Sequence, residues 1–289
     1  MTTTELKRPR QTSVIRQDLG ARAVAYIVLG LASVVVLFPV LWMLSTALKG
    51  QQELFSTPPV WIPTAPTLDA FVRVWSDYPF LTYFSNSLIV VGASMLVSVL
   101  FSAFAGYGMA RFEFRGKASF LTFLLMSQMF PSIMLLIPYY KIFQTTGLID
   151  THAALIFTYV SFQIPLCSWM MFGYFKAIPK ELDEAAAIDG LGRFRTFWQV
   201  VMPLALPGAV ATAIYAFISG WNEYMFALVL THSEDMKTVA VGIGQLIGQY
   251  KIQWNDLMAA SLYAIVPLAI LFIFLQKHLV GGLAAGSVK

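Results

Sequence analysis

Six long apolar stretches, separated by short polar or proline-rich segments, set the pattern of this chain. At about 1.5 Å per helical residue, each stretch is long enough to cross a hydrocarbon core of about 30 Å. The sequence therefore predicts an all-α, polytopic membrane protein with six transmembrane helices. The predicted spans are residues 23–48, 81–110, 118–140, 152–175, 203–230 and 257–276.

Prolines inside these stretches predict where the helices bend, because proline removes a backbone hydrogen bond and clashes with the preceding turn. A kink is expected at Pro39 in the first span and at Pro131 and Pro138 in the third, and Pro165 lies within the fourth. In span two, close helix packing is expected at small residues. These are Gly92, Gly106 and Gly108.

Composition agrees with a membrane protein and excludes a soluble domain. Hydrophobic residues make up 58% of the 289 residues, charged residues only 12%, and the mean hydropathy is +0.70. In soluble domains roughly a quarter of residues are charged. The net charge is +4, and the informative feature is where the basic residues lie along the chain.

Lysine and arginine are divided unequally between the two sides of the predicted bundle. The termini and the even-numbered loops carry fourteen of them, and the odd-numbered loops carry five. Because positive loops stay in the cytoplasm, both termini and the loop 176–203 are expected there. The predicted parts are a cytoplasmic basic tail 1–22, a first helix with an extracytoplasmic loop 23–80, a transmembrane core 81–276 containing the loop 176–203, and a cytoplasmic tail 277–289.

The loop 176–203 holds the only long polar segment between two apolar ones. A helix is predicted after Pro179, with acidic residues in the first turns where the helix dipole favours them, and Gly190 is expected to end it. One narrow face would let another protein's backbone approach closely, and it consists of Leu182, Ala185, Ala186 and Asp189. A second apolar stripe predicts a helix in the membrane interface, and it consists of Phe194, Phe197, Trp198 and Val201. Pro203 marks the predicted entry into the bilayer.

This segment resembles the EAA loop of ABC importer permeases. The pattern appears as Glu184-Ala185-Ala186, then Gly190 at the family spacing, and ends in Val200, Val201, Met202 and Pro203. The resemblance implies a coupling helix that sits in a groove on an ATP-hydrolysing subunit. Glu184 would then make a charged contact, Ala185 and Ala186 a close-packing face, and Gly190 the turn.

Glu223 is the only acidic residue within a predicted span, and an unpaired charge there is costly. We expect it to need a donor such as Asn222 or a residue of a neighbouring subunit. The run Trp221-Asn222-Glu223-Tyr224 resembles a signature of sugar permeases. Candidate substrate-pathway or gating residues are Asn86, Gln128, Gln163, Asn222, Glu223 and Tyr224. Such polar side chains also join membrane helices by hydrogen bonds, and the sequence leaves both roles open for each of them.

The sequence contains none of the motifs expected for ATP binding, catalysis or metal binding. No Gly-x-x-x-x-Gly-Lys-Ser/Thr run is present, so the chain is not expected to bind ATP or to be an enzyme. Cys167 is the single cysteine, and His152, His232 and His278 lack ligand spacing, so no metal or catalytic site is predicted.

The chain as a whole resembles the smaller six-span permease of maltose-type sugar importers, with the type I ABC importer fold. That resemblance implies a bacterial inner membrane, a second homologous permease and two ATPase subunits that bind ATP and magnesium. It also implies an extracytoplasmic solute-binding protein and a sugar or oligosaccharide substrate, with no nucleic acid. Residues 231–256 are expected to touch the binding protein or to cover the cavity mouth. Two alternatives remain open, an importer for a polyol or glycerophosphate-type solute and an ion-coupled secondary carrier.

Overall fold

The computed structural model describes residues 12–248 and 252–286, and its regular structure within these ranges is helical. The predicted all-α class is confirmed. A 3₁₀ turn (Ser132–Leu135) precedes α5 and a π-helical turn (Phe197–Val201) follows α8. The helices are α1 (Thr12–Leu48), α2 (Asp69–Ser76), α3 (Phe80–Arg111), α4 (Lys117–Ser127), α5 (Leu136–Thr146), α6 (His152–Ala177), α7 (Glu181–Ile188), α8 (Arg193–Thr196), α9 (Met202–Leu204), α10 (Leu206–Trp221), α11 (Met225–Leu230), α12 (Val239–Gln245) and α13 (Trp254–Gly286).

Four of the described helices are long and apolar enough to cross a membrane, namely α1, α3, α6 and α13. Two further pairs pass the same test only when joined across a sharp bend. Residues 117–127 and 132–146 meet at 91°, and residues 193–204 and 206–221 meet at 78°. Six crossings result if each bent pair is one span, so the count of six stays a prediction.

The kink predicted for the third span is confirmed at Pro131 and is wrong at Pro138. The chain breaks at Pro131, which separates α4 from the 3₁₀ turn before α5. Pro138 lies in the first turn of α5, where its missing N–H would have no partner in any case, so no break occurs there. Residues 141–151, between the third and fourth predicted spans, are helical as far as Thr146, and Gly147 ends that helix with a φ of +70°.

The fifth predicted span, residues 203–230, is wrong as one continuous helix. Its main helix, α10, begins at Leu206 because Ala205 leaves helical geometry, and it ends at Trp221. Residues 222–224 interrupt the apolar stretch before α11 begins. By hydropathy alone this stretch is one long apolar run. In the structure a new helix starts after Glu223, whose polar side chain allows the backbone to begin it.

Gly106 lies at the crossing of α3 and α6. A Cβ placed on it would sit 2.7 Å from the Met171 Cβ and 2.7 Å from the backbone nitrogen of Phe172, so no side chain fits there without a shift. The close-packing role predicted for this glycine is confirmed. It is wrong for Gly92 and Gly108 within this chain, because a Cβ on either would meet nothing within 4 Å.

Helix α1 lies on the outside of the bundle and packs against α13. Its side chains are exposed from residue 21 to residue 39. In its last turn Ala47 is buried, and Asn255 donates to the carbonyls of Thr46 (2.9 Å) and Lys49 (2.8 Å). An exposed apolar helix of this length suits contact with lipid. Both predicted tails are partly helical, since α1 already begins at Thr12 and α13 continues to Gly286.

Candidate functional site

Helix α7 has the predicted start and stop. After Pro179, the N–H groups of Asp183 and Glu184 donate to the Lys180 carbonyl at 2.9 and 3.2 Å. At the other end Gly190 has a φ of +80°, and the N–H of the next residue donates back to the Ala186 carbonyl at 2.9 Å. This closing pattern satisfies free carbonyls and favours glycine. The predicted glycine stop is confirmed.

The two faces of α7 have different surroundings. Ala186 is 5% exposed and packs against its own chain. It lies on the side of α7 that faces the bundle. The prediction that it belongs to the docking face is therefore corrected. Ile188, which sequence analysis did not select, is 86% exposed. The exposed residues of α7 and its C-cap are Glu181, Leu182, Glu184, Ala185, Ala187, Ile188 and Asp189.

Asp183 ties the inner side of α7 to the ends of two long helices. Its Oδ1 accepts from the Tyr107 hydroxyl at 2.8 Å, and its Oδ2 lies 2.9 Å from the Arg111 Nε. Arg111 Nη1 in turn donates to the carbonyls of Phe175 (3.1 Å) and Ile178 (3.0 Å). The Arg111 side chain is 6% exposed and that of Asp183 is 21% exposed. We call these three side chains, Tyr107, Arg111 and Asp183, the α7 clamp.

The apolar stripe that follows α7 is divided between the interior and the surface. Phe194 and Trp198 are 66% and 40% exposed, whereas Phe197 and Val201 are 2% and 0% exposed. The ring of Phe197 lies 5.0 Å from that of Phe104 in α3. Half of the stripe thus anchors this segment in the bundle, because two of its apolar side chains gain burial against α3 and α6. Its position in the membrane interface stays a prediction.

Pro203 lies in α9, just before the bend that leads into α10. Its side chain is exposed, and the chain leaves helical geometry two residues later at Ala205. The π-helical turn lies immediately before this bend, and such turns are often found at functional sites. The predicted turn at this proline is therefore displaced by two residues.

Glu223 has its partners within this chain. Its Oε1 accepts from the Phe226 N–H at 2.8 Å, and its Oε2 accepts from the Ala227 N–H and the Tyr159 hydroxyl, both at 3.0 Å. The carboxylate thus caps α11. Pairing with Asn222 was predicted and is wrong, because that amide donates to the Ile218 carbonyl at 2.9 Å.

Asn86 is buried and fully hydrogen-bonded. Its Nδ2 donates to the carbonyls of Asp235 (2.7 Å) and Lys237 (2.9 Å), and its Oδ1 lies 2.9 Å from the His152 Nε2. This amide therefore fastens the segment 231–238 to α3 and α6. Its contacts are those of a structural residue.

Gln163 joins three helices in the same way. It is 1% exposed, donates to the Ala216 carbonyl in α10 at 3.0 Å, and accepts from the Ser98 hydroxyl in α3 at 2.9 Å. Three of the six pathway candidates keep an exposed side chain in this chain. They are Gln128, Asn222 and Tyr224.

The segment before α12 is held at several further points. Asp150 Oδ1 accepts from the N–H groups of His232 (2.8 Å) and Ser233 (3.0 Å). Glu234 pairs with Lys237 and accepts from the Tyr83 hydroxyl, and these contacts hold the pKa of its carboxyl below the usual value. The segment is thus an ordered part of the bundle.

The description "binding-protein-dependent transport system inner membrane component" belongs to a family model that matches residues 98–284. The matched range includes α7, the π-helical turn and both of the bent helix pairs. The chain belongs to this family. It is therefore a membrane-embedded permease component of a binding-protein-dependent importer, and the family match does not favour the ion-coupled carrier.

Relatives of this permease match it over nearly its whole length. It is 36% identical over 278 residues to the trehalose/maltose transport system permease protein of Thermococcus litoralis, covering 95% of this chain and 99% of that one. It is also 36% identical over 253 residues to the sulfoquinovosyl glycerol transport system permease protein of Agrobacterium fabrum, covering 88% and 89%. Both relatives are permease proteins by name.

A solved structure shares the fold. It is a chain of a bacterial ABC transporter involved in the import of the acidic polysaccharide alginate, with a TM-score of 0.74 and 22% identity. The match covers 94% of this permease and 99% of that chain. The predicted ABC importer permease fold is thereby confirmed.

Sequence reasoning missed the α7 clamp. Two signals were visible in the sequence. Arg111 is a cation at the end of an apolar helix, and Asp183 is an acid in the first turn of a polar helix. Tyr107 and Asp183 are 76 residues apart, however, and no local pattern pairs them.

Proposed function

We propose that this permease forms half of a translocation pathway for a sugar or oligosaccharide and is driven by ATPase subunits that dock on α7. The α7 clamp is the observation that carries the proposal. One side of the helix is tied to α3 and α6 through Asp183, while the opposite side leaves Glu184 and Ile188 exposed. A helix held in this way transmits displacement to the ends of both spans.

A groove on an ATPase subunit would receive the exposed side of α7. Ile188 and Ala185 offer apolar and small contacts, and Glu184 offers a charge for an arginine or lysine on the partner. ATP and magnesium would be bound by two such subunits, and hydrolysis would occur there. This chain would supply the mechanical connection without a cofactor of its own.

A neutral carbohydrate suits the polar residues that remain at the surface of this chain. The amides of Gln128 and Asn222 and the phenol of Tyr224 donate and accept hydrogen bonds without fixed charge, as sugar hydroxyls require. The names of the relatives support a sugar or glycoside, since they include trehalose/maltose and sulfoquinovosyl glycerol. A homologous second permease would complete the pathway, and an extracytoplasmic binding protein would deliver the sugar.

The unequal distribution of lysine and arginine supports cytoplasmic termini and a cytoplasmic α7. Cys167 is 0% exposed, so single cysteines introduced elsewhere can be labelled against a silent background. Arg115→Cys, in the exposed linker between α3 and α4, should react with a membrane-impermeant maleimide only in inside-out vesicles. Labelling in right-side-out vesicles would overturn this orientation.

The coupling role is tested by ATP hydrolysis of the complete complex in lipid, with and without sugar-loaded binding protein. Glu184→Lys should abolish the stimulation by binding protein. Glu113→Lys is the matched control, because Glu113 is also an exposed carboxylate but lies outside α7 in a weak surface pair with Lys117. An undiminished response in the Glu184 variant, or an equal loss in the control, would contradict the proposal.

A further inference from the structure

A cavity of about 400 Å³ opens where α3 ends, α4 begins and α6 ends. Three long apolar segments terminate or start there together, so the cavity lies at the level of one membrane surface. None of the exposed residues of α7 lines it, although Lys180 directly precedes that helix. Its basic lining residues are Arg111, Lys117, Lys176 and Lys180, and its one acidic lining residue is Glu113.

The positive charge of this cavity is only partly compensated. Glu113 pairs with Lys117 at 2.9 Å, and its own side chain is 76% exposed. The ammonium of Lys176 lies 5.8 Å from the ring centre of Phe172, on the wall of the cavity. Lys176 and Lys180 therefore leave excess positive charge facing the opening.

Arg111 adds a buried donor that needs an acceptor. Its side chain is 6% exposed, and its Nη1 donates to two carbonyls. Its Nε lies 2.9 Å from the Asp183 Oδ2 but makes no hydrogen bond to it. The Nη2 is buried and has no hydrogen-bond partner among the described residues. A buried guanidinium N–H without an acceptor is unfavourable, and phosphate oxygens match its geometry.

The remaining wall of the cavity is apolar and continues toward the membrane. Leu121 and Phe172 line it, and Phe120 and Phe123 lie exposed along α4 beyond it, at 43% and 64%. A soluble anion would gain nothing from this surface. Acyl chains attached to a phosphate would cover it.

We propose that this cavity binds the headgroup of an anionic phospholipid, with its phosphate at Arg111, Lys176 and Lys180 and its acyl chains along α4. Basic pockets between membrane helices bind such headgroups. The lipid would fill the cavity beside the α7 clamp and supply the acceptor that Arg111 lacks. The site is therefore distinct from the sugar pathway and does not depend on which solute is imported.

Native mass spectrometry of the complete complex tests this site. The complex is titrated with short-chain phosphatidylglycerol and, separately, with phosphatidylcholine of the same chain length. Each lysine contributes roughly fivefold to affinity for an anionic headgroup, so Lys176→Gln combined with Lys180→Gln should weaken phosphatidylglycerol binding about 25-fold. Binding of phosphatidylcholine should not change.

Arg115→Gln is the matched control. Arg115 is an exposed cation in the linker between α3 and α4, and it does not line the cavity. It should bind phosphatidylglycerol as the native chain does. Equal weakening in this control, native affinity in the double variant, or no bound phosphatidylglycerol in the assembled complex would overturn the proposal. Displacement of the lipid by an equal concentration of inorganic phosphate would assign the site to a soluble anion instead and would overturn the lipid assignment.

Discussion

Removing the carboxylate of Asp183 should disconnect α7 from the bundle while leaving its docking side intact. Asp183→Ala deletes the acceptor for Tyr107 and leaves Arg111, which is 6% exposed, without its counter-charge. Breaking a buried ion pair from one side costs about 3–5 kcal/mol, and because Asp183 is 21% exposed we expect the lower value, about 3 kcal/mol. That loss is well beyond the 1.4 kcal/mol or so that corresponds to a tenfold change in an equilibrium.

The measurement is the number of sugar molecules imported per ATP hydrolysed by the complex in proteoliposomes, with saturating binding protein. We expect the ratio to fall at least about tenfold in Asp183→Ala, because hydrolysis continues while displacement of α7 no longer reaches α3 and α6. Asp183→Asn retains an acceptor for Tyr107 and should lose less. Tyr107→Phe removes a single hydrogen bond, about 1 kcal/mol, and should lose least.

Glu113→Ala is the control for the general loss of an acidic side chain at this end of the bundle. It removes an exposed carboxylate that lies outside α7 and outside the α7 clamp. The import ratio of this variant should stay close to native. Native coupling in Asp183→Ala, or the same loss in both variants, would refute the assignment of the clamp as the mechanical link.

Three further outcomes follow from contacts elsewhere in the bundle. Gly106→Ala should lower the apparent unfolding temperature of the complex, since overpacking at this helix crossing costs about 1–3 kcal/mol, while Gly92→Ala should leave it unchanged. Glu223→Gln places an amide N–H against a backbone N–H of α11 and should speed hydrogen exchange there, with about 1 kcal/mol lost; unchanged exchange would contradict the capping role. The pKa of Glu234 is lowered chiefly by its pair with Lys237, so its stabilisation is present above the usual glutamate range and is lost as the pH falls through the lowered pKa. Hydrogen exchange of residues 231–238, corrected for intrinsic rates, should then rise at acid pH in the native chain and lose this dependence in Glu234→Gln.

The local sequence pattern was sufficient to predict the class of protein and the bounds of α7. Apolar stretches of span length predict membrane helices because the bilayer leaves few other ways to satisfy the backbone. The start of α7 near Pro179 and its stop at Gly190 follow from chemistry within one turn of each residue. The same spacing carried the resemblance that the family match later confirmed.

Pro131 predicted one of the two sharp bends, whereas the bend at Ala205 was not located, because a bend changes backbone geometry without changing how apolar the residues are. The polar residues inside the predicted spans were also ambiguous. Asn86, Gln163 and Glu223 all find partners in other elements, and those partners decide between a structural contact and an open pathway.

The sequence by itself determined that this chain is a helical membrane permease with a short polar helix, α7, between two apolar segments. Only the tertiary structure decided which side of that helix is free, which residues hold it to the spans, and where a buried arginine lacks an acceptor. The physical reason is the range of the interactions. Helix signals and hydrophobicity act between neighbours in the chain, whereas the pairing of Asp183 with Arg111 and Tyr107 depends on the packing of three helices.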